Sequence, residues 1–255
     1  FLQSEKNKGV SNSLNEIIKK ANGDFFCWCP DDDYMSLSRV QRQITSIEKN
    51  PDSISYSNHY QVIEMFNLKR KIRHNFYLKF FDSYFYSIIF DRINGGTLLI
   101  PLKIIKKYKF DSKLKHIQDY DVWHQIFRNN KSIYINEYLF FSRKHSKQSS
   151  NLKVIEAEKE ISNYYLDYIK KNLFNLVHHY GKKGFFIIYA CFVFRKIKAH
   201  QFMSEKLTIS KYINPFYKSN LRFYTLLKIS KLIGLVLQFF KACKNIILYK
   251  IIYSK

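Results

Sequence analysis

Residues 25–33 join an apolar, aromatic segment to three adjacent acids: Phe25-Phe26-Cys27-Trp28-Cys29-Pro30-Asp31-Asp32-Asp33. Asn22-Gly23 precedes the segment and Pro30 interrupts it, so the pattern predicts a short buried strand that ends just before the acids. Neighbouring carboxylates repel one another, and a divalent cation that prefers oxygen ligands would relieve that repulsion. In open α/β sheets, ligands bind just beyond the carboxyl ends of strands. The run therefore predicts a metal site, with a solvated turn or a helix N-cap as the alternative.

The composition indicates a folded chain with an uneven charge. Of 255 residues, 46% are hydrophobic and 18% aromatic, which excludes a disordered chain and allows one or two domains. The formal net charge is +23; residues 1–150 contain 24 Lys and Arg against 15 Asp and Glu, and residues 151–255 contain 19 against 5. This asymmetry indicates two regions and an anionic partner for the second. Cys27 and Cys29 lie two apart on one strand, so we expect reduced thiols and a cytosolic location.

The first 150 residues alternate predicted helices and strands, which predicts an α/β sandwich with a largely parallel sheet. Predicted helices cover residues 11–20, 36–49, 76–90 and 118–127. Besides the strand before the acids, predicted strands cover residues 54–57, 60–65, 97–100, 132–135 and 138–141. In the second helix we expect Val40, Ile44 and Ile47 to face inward.

From about residue 152 the pattern predicts helices only. The apolar runs Phe185–Phe194 and Leu232–Phe240 are too short to span a bilayer, which takes roughly 20 residues. Lys and Arg flank both runs, as in helices that lie in a membrane interface. We therefore expect a basic helical region that associates with an anionic membrane surface. The alternative is an ordinary basic subdomain packed on the core.

Three further segments carry residues suited to chemistry. The acids of Gln118–Trp123 open a predicted helix, where a carboxylate is stabilised as the anion and is available as a general base. Residues 143–150 follow a strand with cationic and hydroxyl side chains that suit phosphate oxygens, and His145 could ligate a metal. Asn94–Thr97 contains two glycines, which allow a ligand to approach the backbone. The alternatives are a plain N-cap for the helix and a solvated basic loop for residues 143–150.

In this order, five segments resemble motifs of the family 2 glycosyltransferases, inverting enzymes with the nucleotide-diphospho-sugar-binding GT-A fold. They are Asn7–Asn15 (N-x-G-x-x-x-a-x-N), Ala21–Phe26 (A-x-G-e-y-i), Trp28–Asp33 (a W-x-x-x-D-D variant), Gln118–Trp123 (E-D-x-D-x-W, with Gln for Glu) and Arg143–Ser150 (R-x-H-x-x-Q-x-S). The resemblance covers residues 1–150. It implies a partial GT-A-like catalytic domain there, followed by the helical basic region 151–255.

The resemblance implies a site that binds a nucleotide-diphospho-sugar together with Mg2+ or Mn2+, which neutralises the leaving diphosphate. Pro30 replaces the first acid of the family's D-x-D, which leaves the following acids to hold ribose and metal. Asp33 is the first candidate metal ligand, Asp32 is second and also a donor-binding candidate, and Asp31 is third. Arg143 and His145 are candidates for further contacts with the phosphates.

The same resemblance implies an acceptor site. Asp119 is the candidate base that removes the proton of the attacking hydroxyl. Asp121 is expected to orient the helix or to line the acceptor site. Gly95, Gly96 and Trp123 are expected to shape that site, since a flat aromatic ring suits a sugar face.

One departure concerns the start of the chain. The family normally begins with a strand, a turn and a second strand that helps to hold the nucleobase, and this sequence starts after both. We therefore expect an N-terminally truncated domain with weak or no turnover by itself.

Two alternatives from other classes stay open. With 20 Tyr, 23 Phe and its basic charge, the chain could bind nucleic acid. Against this, the aromatic residues fall at core-like spacing, and Lys outnumbers Arg, so no nucleic-acid partner is expected. A degenerate, transferase-like interaction module is the other alternative. The favoured hypothesis is sugar transfer to a glycan or lipid-linked acceptor in cell-surface polysaccharide synthesis, on the inner face of a membrane.

Overall fold

The computed structural model describes residues 7–64, 68–78, 82–90, 93–145, 155–165, 167–168 and 171–172. The chain divides into two units, residues 1–160 and residues 161–255. Within the described part of the chain, no helix is long and apolar enough to cross a membrane. The predicted interfacial helices at Phe185–Phe194 and Leu232–Phe240 lie outside the described residues.

Helices and strands alternate through the first unit. The helices are α1 (Val10–Lys20), α2 (Arg39–Ile47), α3 (Asn75–Leu78), α4 (Ser83–Phe90), α5 (Leu102–Ile105) and α6 (Gln118–Asn129). The strands are β1 (Phe25–Cys27), β2 (Tyr34–Met35), β3 (Ile54–Ile63), β4 (Leu68–Ile72), β5 (Leu99–Pro101) and β6 (Ser132–Lys144). A short 3-10 turn, Gly95–Thr97, precedes β5.

Two long strands form the centre of the sheet. β3 and β6 pair in parallel along their length, and a bulge at Asn58 absorbs the extra residues of β6. Polar residues at the bulge explain why each strand was predicted as two shorter ones. The strand order is β1-β5-β3-β6-β2, and β4 pairs with the second half of β3.

The prediction of a largely parallel sheet is wrong for the described strands. The pairs β1–β5, β2–β6, β3–β4 and β3–β5 are antiparallel, and only β3–β6 is parallel. Alternation of helices and strands favours parallel crossovers. Here β3 and β4 follow one another as an antiparallel pair. The short strands β5 and β2 run opposite to β3 and β6, their central partners, and β1 runs opposite to β5.

The core packs aromatic side chains between the sheet and α6. Tyr56, Tyr86, Phe110 and Trp123 are all fully buried. The buried positions of α6 recur at the spacing of one helical face, as its sequence predicts. In α2 the prediction is confirmed at Ile47, which is buried, and wrong at Val40, which is 38% exposed; Arg39 and Gln43 are buried with Ile47.

Candidate active site

The acid run lies against the end of β6. After β1 the chain turns through Pro30, whose carbonyl accepts a hydrogen bond from the N–H of Asp33 at 3.2 Å. Oδ1 of Asp33 accepts a hydrogen bond from the backbone N–H of Arg143 at 2.8 Å. Oδ2 of Asp32 lies 3.2 Å from Nε2 of His145. Two segments more than 100 residues apart, both predicted to belong to the donor site, are therefore in contact.

The electrostatics of this cluster fit a cation. Burial raises the pKa of Asp33, and the Asp32 carboxylate raises it further, against the opposing effect of the Arg143 N–H. A nearby cation would favour the ionised forms of both acids. Among the described residues, no group of three or more His, Cys, Asp or Glu side chains forms a complete metal site. Mg2+ or Mn2+ needs no such group when one or two carboxylates hold it and substrate phosphates complete its shell.

Asp33, Asp32 and His145 therefore have suitable donor atoms for such a cation. Asp31, the third predicted ligand, has an exposed side chain in the turn.

The side chain of Arg143 has a different partner from the predicted phosphate. Its Nε donates to Oε1 of Glu64 at 2.7 Å, and its Nη2 contacts the same oxygen. This pairing raises the pKa of Arg143. Glu64 follows β3, and the sequence carried no motif that pointed to it. In this conformation Arg143 fixes the acid run with its backbone, while its guanidinium holds the end of β3.

The candidate base sits in the first turn of α6. Oδ1 of Asp119 accepts a hydrogen bond from the N–H of Tyr120 at 2.8 Å. Burial raises the pKa of Asp119 to about 6, which is near the value that suits a general base at neutral pH. Asp121 accepts a hydrogen bond from Nε2 of Gln125 at 3.1 Å, one turn further along the helix. Because that bond lies within α6, both roles predicted for Asp121 stay predictions.

The two glycines of the turn pack closely against aromatic residues, and Gly95 lies against one residue of the Trp28–Asp33 motif and one of the Gln118–Trp123 motif. A Cβ on Gly95 would lie 3.1 Å from both Nε1 of Trp123 and Cε3 of Trp28. The rings of Trp28 and Trp123 have centroids 6.2 Å apart. A Cβ on Gly96 would lie 2.1 Å from Cζ of Phe140, so only glycine fits against that ring. The acid-run strand, the glycine turn and α6 therefore pack directly on one another.

The structure corrects the predicted role of Trp123. Its side chain is 0% exposed, so no ring face is available to a sugar. A large aromatic side chain gains more from burial in the core than from exposure in a cleft. Gly95 and Gly96 are buried as well. All three residues therefore pack in the interior, and their part in shaping an acceptor site stays a prediction. Whether Asp33 and Asp119 face one cleft stays a prediction.

A buried polar network, which the sequence analysis missed, holds the glycine turn. Arg39 donates through Nη2 to the Leu98 carbonyl at 2.9 Å and through Nε to Oε1 of Gln43 at 2.9 Å. Its Nη1 lies 3.5 Å from the Trp28 carbonyl. Gln43 donates to the Thr97 carbonyl at 2.8 Å. Burial lowers the pKa of Arg39. The available signal was an Arg and a Gln four residues apart, in helical register with Ile47.

The start of α6 is fixed from two directions. Asn15 of α1 donates to the Phe110 carbonyl at 2.8 Å and accepts from the Phe110 N–H at 2.9 Å. Glu160 accepts backbone N–H bonds from residues 115–117 at 2.7–3.1 Å. A carboxylate beside a helix N-terminus is stabilised by the helix dipole. The last Asn of the first motif therefore has a positioning role, and Glu160 is a second residue that the sequence did not reveal.

Residues 1–128 match the family model for glycosyl transferase family 2. The chain belongs to this family. The resemblance stated from the five motifs is thereby confirmed.

Relatives of this glycosyltransferase domain include uncharacterized glycosyltransferases of bacteria and archaea. One of Rickettsia typhi is 30% identical over 162 residues, which is 60% of this chain and 50% of that protein. One of Methanocaldococcus jannaschii is 27% identical over 175 residues, 68% of this chain and 59% of that protein. The chain thus spans about half the length of such curated relatives.

A solved structure shares the fold. The crystal structure of TarS from S. aureus aligns with a TM-score of 0.52 and 12% identity, over 89% of this chain and 41% of that one. The α/β fold class of GT-A type is therefore confirmed for the glycosyltransferase domain.

Proposed function

We propose that this glycosyltransferase domain transfers a sugar from a nucleotide-diphospho-sugar to a hydroxyl group of a glycan or lipid-linked acceptor, with inversion at the anomeric carbon. The observation that carries the proposal is the contact between the acid run and the end of β6, through Asp33 with Arg143 and Asp32 with His145. It gathers carboxylates and an imidazole where a cation and a diphosphate are expected beyond a strand end.

Binding of the nucleotide-diphospho-sugar donor depends on neutralising the charge of its diphosphate. Asp33 and Asp32 would hold Mg2+ or Mn2+, with His145 beside them, and the ion would neutralise charge on the leaving diphosphate. The bond from the Arg143 N–H keeps the Asp33 carboxylate oriented. Because Glu64 engages the Arg143 guanidinium, a contact of that side chain with phosphate requires the pair to rearrange or to share its hydrogen bonds.

Removal of the proton from the acceptor hydroxyl depends on Asp119. Inversion requires a hydroxyl to attack from the face opposite the leaving group while one base removes its proton. The pKa of Asp119 of about 6 keeps it ionised at neutral pH, yet basic enough to accept that proton. The Trp28–Gly95–Trp123 packing fixes α6 relative to the strand that precedes the acid run.

We further infer a role in cell-surface glycan or polysaccharide synthesis, on the inner face of a membrane. The support is charge: residues 151–255 contain 19 Lys and Arg against 5 acids, which favours an anionic surface. Lipid-linked acceptors fit such a location.

The test uses a full-length version of the protein with a panel of nucleotide-diphospho-sugars and Mn2+, and it measures release of the nucleoside diphosphate. We expect Asp119→Asn to bind the donor as the parent does and to lose turnover. Asp33→Ala is expected to lose metal-dependent binding. Equal loss of donor binding in both variants would contradict these separate roles.

A further inference from the structure

One row of side chains crosses four strands on a single face of the sheet. Tyr34 of β2 pairs with Phe141 of β6, Phe141 with Tyr60 of β3, and Tyr60 with Lys71 of β4. Because neighbouring strands lie about 4.8 Å apart, the row extends over about 14 Å. The ring of Tyr34 stacks on Phe141 with centroids 4.5 Å apart, and Tyr60 stacks on the same ring at 5.2 Å. Tyr138 lies 4.6 Å from Tyr60. We call the rings of Tyr34, Phe141, Tyr60 and Tyr138 the aromatic row.

Cations border the aromatic row on β4. Nζ of Lys69 lies 6.0 Å from the Phe141 ring centroid, and Nζ of Lys71 lies 5.6 Å from that of Tyr138. The Arg73 guanidinium lies 6.0 Å from the Tyr138 ring and donates to its hydroxyl. All three cationic residues are exposed. We call them the basic edge.

An exposed leucine lies in the turn that follows β2. Leu37 is fully exposed, at 106% of its reference area. The N–H of Ser36 donates to the Leu139 carbonyl at 3.0 Å, so this turn runs beside β6. A leucine exposed to water gains free energy when an apolar phase covers it.

The chemistry of the surface favours lipid over the other anionic partners. Nucleic acid binds aromatic residues through open ring faces, and a sugar stacked on an aromatic also needs an open face. In the aromatic row Tyr34 and Tyr60 both stack on Phe141, and Tyr138 packs on Tyr60, so Tyr34, which is 42% exposed, is the ring of the row with the most open face. A single such ring is too little for stacking along a nucleic-acid strand or a glycan. Tyrosines, exposed leucines and Lys or Arg together are typical of proteins that lie in a membrane interface.

We propose that the aromatic row, the basic edge and the Leu37 turn form a docking surface for a membrane that contains anionic phospholipid. This surface is separate from the basic region after residue 150. Tyr34 directly follows Asp33, so docking would bring the acid run close to the lipid. The link to a lipid-linked acceptor rests on the proposed function, whereas the docking itself does not.

The charge test uses vesicles of phosphatidylcholine with and without phosphatidylglycerol, and it measures co-sedimentation of the full chain. The variant is Lys69→Glu with Lys71→Glu, and the matched control is Lys107→Glu with Lys109→Glu, two exposed lysines between α5 and α6. A lysine near an anionic surface strengthens binding roughly five-fold, so we expect the first variant to lose about 30-fold or more. We expect the control to lose far less.

The apolar test compares Leu37→Ser with Val10→Ser, because Val10 is also exposed, at 53%, and lies on α1. We expect only Leu37→Ser to weaken sedimentation. Equal loss in variant and control, no loss in either, or no vesicle binding by the full chain would overturn the proposal. Binding of UDP with Mn2+ is measured on the same proteins. It is expected to stay unchanged in the vesicle variants, so a failure of docking is distinguishable from a failure of the proposed transferase site.

Discussion

The backbone N–H of Arg143 donates to Oδ1 of Asp33 at 2.8 Å, which ties the last residues of β6 to the acid run. Since the donor is a backbone group, the bond does not depend on the side chain at position 143. The Arg143 guanidinium is bonded to Glu64 instead. The position of Asp33 is thus set by the sheet, through the parallel pairing of β3 with β6.

For a full-length version of the protein, we predict a turnover rate that depends on the ionisation of Asp119. The carboxylate must be deprotonated to accept a proton, and burial raises its pKa to about 6. Turnover should therefore be constant above about pH 6 and fall tenfold per pH unit below it. Asp119→Asn should lower turnover by about 10²- to 10⁴-fold. A pH profile of initial rates checks this, and a profile that stays flat through pH 6 would contradict the assignment.

We predict a large stability cost for Arg39→Met. The substitution leaves the Leu98 carbonyl and Oε1 of Gln43 without their Arg39 donor in a buried site. We expect a loss of about 3 kcal/mol in the free energy of unfolding, measured with urea. Arg42→Met is the matched control, because Arg42 is exposed and lies 3.7 Å from Glu137. The control should lose less than about 1 kcal/mol. Similar losses in both variants would count against the network.

We predict that Gly96→Ala disrupts the glycine turn. Its Cβ would lie 2.1 Å from the Phe140 ring, and overpacking of this kind costs about 1–3 kcal/mol. Gly23→Ala is the control, because nothing lies within 4 Å of a Cβ at that position. Phe140→Leu should recover part of the loss when combined with Gly96→Ala. If the losses of unfolding free energy in Gly96→Ala and Phe140→Leu simply add in the double variant, the contact between residues 96 and 140 does not determine stability.

We predict that His59 makes the protein less stable in acid. Burial lowers its pKa to about 4, whereas the pKa in the unfolded state is about 6.5. Between these two pH values the unfolded state binds a proton that the folded state does not. Its contribution is therefore present above about pH 6.5 and is lost as the pH falls toward about 4. His124, with a pKa lowered to about 3, acts in the same direction. Asp119 acts in the opposite direction because its pKa is raised.

The test for His59 therefore compares parent and variant. His59→Leu also removes a buried Nδ1 that has no hydrogen-bond partner. Relative to this variant, the parent should lose about 1.4 kcal/mol of unfolding free energy per pH unit across that window. Parallel stability curves for the two proteins would rule out the assignment.

The sequence predicted those helices and strands whose position is set by the spacing of apolar residues or by a nearby Pro or Gly. The apolar face of α6 was predicted because Val122, Trp123, Ile126 and Phe127 recur at helical spacing. The strand before the acids was predicted because an apolar segment ends at Pro30. The five motifs identified the family because their residue types and order are specific.

Properties that depend on distant partners could not be predicted. Val40 was assigned to the inward face of α2 and Arg39 was not, because Arg39 is buried only where the Leu98 carbonyl, 59 residues away, accepts its hydrogen bond. Glu160 reaches residues 115–117 from more than 40 residues away. Strand direction likewise depends on tertiary pairing rather than on local alternation.

The most direct test of the donor site is calorimetric titration of UDP into the full chain, with and without Mn2+, for the parent, Asp33→Asn and the control Asp24→Asn. Asp24 is an exposed acid just before β1. Asp33→Asn removes the charge but keeps an oxygen for the Arg143 N–H. Because burial raises the pKa of Asp33, its ionised form costs stability, so this variant should unfold at the same temperature as the parent or higher. We predict Mn2+-dependent binding of UDP in the parent and the control, and its loss in Asp33→Asn. UDP binding that does not depend on Mn2+, or that persists in a folded Asp33→Asn protein, would contradict the claim that Asp33 holds the cation of the donor site.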